Sequence, residues 1–148
     1  MKTPKGKNLL LQPVITQFFA AREICPGDTW KVYLRAASPE GGMKAIYATV
    51  DQPGRGPQVG GPIPIPEDQR RDLSGFLHLN TAGAQGSAFM NLTLTVQIRD
   101  RAGRFSEPVS FLLALNPRAA QESPPPGAFE ERSLGPVMVS LDPGTGGS

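Results

Sequence analysis

From Asn91 to Leu115 the chain reads NLTLTVQIRDRAGRFSEPVSFLLAL. Leu92, Leu94, Val96 and Ile98 alternate strictly with polar residues. A second apolar run, Val109 to Leu115, follows the turn segment Asp100-Arg101-Ala102-Gly103-Arg104. Successive side chains of a strand point to opposite faces, so this pattern predicts a β-hairpin with one face on a core. Thr29 to Ala37 alternates in the same way, with Trp30, Val32, Leu34 and Ala36 in phase and Lys31, Tyr33 and Arg35 out of phase.

Further strands are expected over Met43–Val50 (Ile46, Ala48 and Val50 inward) and over Leu73–Asn80 (Leu73, Leu77 and Leu79 in phase). Val14 to Arg22 reads as a first strand, with a short helix as the competing reading because Phe18, Phe19, Ala20 and Ala21 do not alternate cleanly. Cys25-Pro26-Gly27-Asp28 and Ser38-Pro39-Glu40-Gly41-Gly42 are turns, since proline presets φ and glycine permits positive φ. Between Asp51 and Asp72, Pro62, Pro64 and Pro66 withhold ladder donors at alternate positions. That excludes a central strand and leaves an edge segment or a long exposed loop.

These elements predict an all-β sandwich of about seven strands. Its expected core is Trp30, Val32, Leu34, Ile46, Ala48, Val50, Leu77, Leu79, Leu92, Leu94, Val96, Ile98, Phe111 and Leu113. The organisation expected is a flexible arm over 1–10, the sandwich over 11–117 and a Pro/Gly-rich, mostly disordered tail over 118–148. Within that tail, Leu134 to Leu141 is apolar enough to add a strand to the sandwich edge or to a neighbouring molecule.

Composition supports the picture. Seventeen glycines and 16 prolines in 148 residues suit a fold with frequent turns. A net charge of +2, with basic clusters only at Lys2/Lys5/Lys7 and Arg70-Arg71, argues against nucleic acid as a partner. One cysteine, Cys25, excludes an intrachain disulfide, and one Cys with one His cannot build a zinc cage. No run approaches the ~18 apolar residues of a membrane span. Lys2, Lys5 and Lys7 before Leu9-Leu10-Leu11 imitate a secretory signal, but Gln12, Pro13, Thr16 and Gln17 break the apolar run.

Three segments carry a resemblance: Pro26-Gly27-Asp28-Thr29 before the Trp30 strand, Ala36 to Met43, and Asp100-Arg101-Ala102-Gly103-Arg104-Phe105-Ser106. The last is similar to the D-x-A-G-x-x-S turn before the final strand of many bacterial immunoglobulin-like and fibronectin-III-like modules. Over residues 14 to 115 the chain resembles that group, which implies an immunoglobulin-like antiparallel β-sandwich. It also implies a spacer, adhesive or binding role in a periplasmic, cell-surface or secreted protein, with a cytoplasmic setting left open. The acidic linker motifs of cadherin-like repeats are missing.

Candidate chemistry is sparse. His78 is out of phase with Leu77 and Leu79 and has no evident partner for acid–base work. Cys25 reads as a small turn residue, and the Asp residues near turns read as caps of local N–H groups. A calcium site is conceivable at one end of the sandwich, because Asp28 and Asp100 both flank loops, but no single loop supplies the six to eight oxygens required. Tyr33 and Tyr47, expected to be exposed on adjacent strands, are the candidate platform for a carbohydrate ligand. No catalytic residue, cofactor or metal site is expected. The leading expectation is a non-enzymatic structural or protein-binding module that engages a protein through an unpaired strand edge or the 51–72 segment. Carbohydrate binding is the alternative.

Overall fold

The computed structural model describes residues 12–82 and 90–139. The 1–10 arm, most of the Thr81–Ser87 loop and the end of the tail lie outside the described residues. Strands β1 (Val14–Ala20), β3 (Thr29–Ala37), β7 (Asp72–Asn80) and β10 (Ser133–Pro136) form one sheet in the order β1-β3-β7-β10. The second sheet runs β2-β9-β8-β4-β5, from β2 (Glu23–Ile24), β4 (Met43–Gln52), β5 (Gly56–Val59), β8 (Asn91–Asp100) and β9 (Val109–Leu115). The short β6 (Ile63–Pro64) also pairs with β4. This is an immunoglobulin-like sandwich, with β1-β3-β7 facing β9-β8-β4.

All fourteen expected core residues are buried between the sheets. Trp30 is at the centre, edge-on to Phe111, and its Nε1–H donates to the Ala21 carbonyl at 2.9 Å, so the one polar atom of the ring is satisfied. The turn before β9 explains the D-x-A-G-x-x-S pattern. Asp100 accepts from the Ala102 and Arg104 N–H groups, and Ser106 Oγ accepts from the Ile98 N–H while its own N–H donates to the Ile98 carbonyl.

The irregular alternation of Phe18 and Phe19 reflects a β-bulge, not a helix. The register with β3 shifts between Ile15 and Gln17, which brings Ile15 and Phe18 to the same face. The proline-rich segment becomes an edge. Prolines at 62, 64 and 66 leave Ile63 and Ile65 to turn inward, and the Ile65 N–H reaches the Lys44 carbonyl at 2.9 Å.

The largest correction concerns the tail. Residues 118–139 are placed on the sandwich. The segment crosses the outer face of the first sheet and adds β10 parallel to β7. Gln121 extends the ladder where β1 departs, its Oε1 accepting from the Lys31 N–H (2.8 Å) and its Nε2 donating to the Thr29 carbonyl (2.9 Å). Phe129 covers Tyr33, and Arg132 pairs with Asp68, holding that carboxyl below its usual range. Gly75 makes the contact fit: a Cβ there would meet the Arg132 carbonyl and come within 2.8 Å of Leu134 Cδ2. Leu134 and Val137 enter the core, and their burial contributes, with the Gln121, Phe129, Arg132 and β10 contacts, against the entropy of ordering a segment whose composition suggests disorder.

Candidate functional site

The two tyrosines of the expected platform are not brought together. β3 and β4 follow one another in sequence but belong to opposite sheets, so Tyr33 and Tyr47 lie on opposite outer faces. Tyr33 is only 5% exposed, because the C-terminal segment lies over it. Its ring contacts Phe76 and Phe129, and its hydroxyl donates to Glu131 Oε1 at 3.3 Å. Burial, and then the neighbouring Glu131 carboxylate, push its pKa upward. Tyr47 pairs instead with Phe105, ring centroids 5.5 Å apart but tilted by 58°, so the two rings do not make a flat stacking surface.

His78 lies on the outer side of β7 with Nε2 3.1 Å from Ser133 Oγ. The adjacent depression is lined by Asn80, Gln58 and residues 136–139, with no carboxylate among the described residues. Cys25 Sγ is 3.7 Å from the Pro117 carbonyl. Asp28 and Asp100 flank opposite ends of the sandwich: Asp28 precedes β3 beside the Asn80 end of β7, and Asp100 pairs with Met43 where β4 begins. Among the described residues no three His, Cys, Asp or Glu side chains cluster as metal ligands.

The feature that stands out is the contrast between the two lateral sides. On one side β10 closes the sandwich. Val137 packs against Gly60, the Met138 N–H reaches the Gly60 carbonyl, and Gly135 approaches Ile63 of β6. On the other side, among the described residues, β1 and β9 are the edges, and β2 covers only Ala114 and Leu115 of β9. Ala114 N–H donates to the Arg22 carbonyl and Asn116 N–H to the Ile24 carbonyl, whereas Leu115 N–H points back to Met90. By strand alternation, the peptide groups of Ser110 and Leu112 face outward past the end of β2.

An open groove of about 1380 Å³ runs along this side, lined by Phe18, Phe111, Leu112 and Leu113, with Glu23, Asp51 and Glu122 toward one end. Phe18 is on the inward face, edge-on to Phe111 at 5.5 Å, yet remains 51% exposed. Leu112 is 72% exposed on the outer face. β1 (VITQFFA) and β9 (VSFLLAL) contain no charged residue. Edge strands are normally shielded by charge, proline or bulges, and here the bulge in β1 is the one such device within the two strands. The sequence signal for this site was the absence of charge from two strands that topology makes edges. Only the topology reveals that they are edges on the same side.

No protein-family model and no curated protein matches the chain. Among solved structures, the PKD domain of an M14-like peptidase from Thermoplasmatales archaeon SCGC AB-540-F20 is similar, at 10% identity with a TM-score of 0.45 over 70% of this chain and 95% of that chain. A likeness of that degree carries no functional argument, and the fold assignment rests on the sheet order itself.

Proposed function

We propose that this chain is a non-enzymatic binding module that receives an extended segment of a protein partner at the β1/β9 edge. The observation that carries the reading is the pair of uncharged edges flanking a groove into which the inward-facing Phe18 opens. An added strand would pair with the outward peptide groups of Ser110 and Leu112 and cover Phe18 and Leu112, the arrangement of strand addition to a sheet edge. The groove is also larger than the roughly 300–1,000 Å³ of small-molecule pockets and is open along its length. The proline-rich 51–72 segment is the weaker candidate, because β5 and β6 already spend it on β4. A cell-envelope or secreted setting accompanies this reading, supported by the resemblance of the turn motifs alone.

A photo-crosslinking amino acid at position 112, expressed in the native cells, tests the proposal. Discrete adducts are expected from position 112 and not from the exposed control position 67. Equal labelling at both, or none at 112, refutes it.

A further inference from the structure

We infer that the segment received at this edge is a stretch of another protein with alternating apolar residues and a lysine or arginine at the end next to Glu23. The inference rests on the strand-addition reading above and adds the chemistry of the partner. An added strand lies on β9 in line with β2, because β2 already occupies the same edge at Ala114 and Leu115. Cross-strand register then fixes its surroundings. Glu23 stands opposite Ala114, Leu112 opposite Thr93, and Thr93 opposite Asp51. Glu23, Leu112 and Asp51 are exposed where buried neighbours such as Ile24, Leu113 and Val50 point to the core, so all three share the outer face of the second sheet.

The incoming strand therefore offers alternate residues to two environments. Its inward residues meet Phe18, Phe111 and Leu113, which select apolar side chains. At its end nearest β2, its outward residues meet Glu23, with Glu122 also lining that end of the groove and Arg22 the single cation among the described lining residues; Asp51 stands on the same face but two strands beyond β9. Two carboxylates against one guanidinium favour a cationic residue in that position. A second copy of this chain answers the apolar part but not the charge, because neither β1 nor β9 carries a basic residue to place there.

The experiment selects twelve-residue peptides from a displayed random library on the full 148-residue chain. Enriched peptides are expected to alternate apolar residues and to carry Lys or Arg at one end. Replacing those basic residues by Glu should weaken binding about tenfold. The Leu112→Asp variant, changed at an exposed position, should abolish binding, and the Glu23→Lys/Glu122→Lys variant should select acidic-ended peptides instead.

Edge-dependent peptides without charge preference would overturn the inference and leave the strand-addition reading standing. Enriched peptides indifferent to Leu112→Asp, or no enrichment at all, would sink both. A dimer in sedimentation that Leu112→Asp dissolves would assign the edge to a second copy. Binding that appears only after residues 1–11 are removed would assign it to this chain's own Lys2–Leu11 stretch.

Discussion

Replacing Asp100 by alanine is the sharpest test of how the turn before β9 is held. The carboxylate is 2% exposed and accepts from the Ala102 N–H (3.0 Å), the Arg104 N–H (2.8 Å) and Arg104 Nε (2.8 Å). Hydrogen bonds to a charged group contribute roughly 1.5–3 kcal/mol each, but the three are not additive. Arg104 keeps Glu40 at 2.7 Å, and Ala102 is at the surface where water can replace the lost acceptor. The net cost of Asp100→Ala is therefore about 3 kcal/mol. For a domain of this size that is about 10 °C in melting temperature. Asp100→Asn keeps one oxygen for the two backbone donors and loses the ion pair, so about half the loss is expected. Calorimetry of the three proteins at neutral pH reads both effects. A Tm of Asp100→Ala within ~2 °C of the parent would refute the capping argument. Equal losses for Asn and Ala would show that charge, not turn capping, is what the position supplies.

Other positions give independent checks. Gly75→Val should dislodge β10, costing about 2 kcal/mol as Leu134 leaves the core, and should expose 118–132 to limited proteolysis; an unchanged digestion pattern contradicts the close packing at Gly75. Ser106→Ala leaves the buried Ile98 N–H without its side-chain acceptor and should cost about 1–2 kcal/mol in urea unfolding, with a midpoint unchanged from the parent counting against it. Tyr33 should ionise above its ordinary value near 10. Its raised folded pKa contributes stability fully present below the unfolded value and lost as pH rises through the folded one. Absorbance titration should show Glu131→Gln bringing this ionisation down, and an unmoved curve would mean that Glu131 does not act on Tyr33.

The alternation of Trp30-Val32-Leu34, Ile46-Ala48-Val50 and Leu92-Leu94-Val96-Ile98 determined the strands, their inward faces and the core, because a period of two has one consequence wherever it occurs. Turn chemistry at 26–28 and 100–106 likewise depends on residues close in sequence, and it was legible. Sheet membership was not. Tyr33 and Tyr47 have the same pattern in sequence, yet β3 and β4 belong to opposite sheets, which separates the expected platform. The tail reads as disordered by composition, and only its long-range fit against Gly75, Gly60 and Tyr33 orders residues 118–139. The open edge follows the same rule. Sequence alone determined that β1 and β9 carry no charge. The tertiary structure alone decided that they border one groove while β10 closes the other side, because a strand's neighbours are set by non-local packing and not by the residues beside it in the chain.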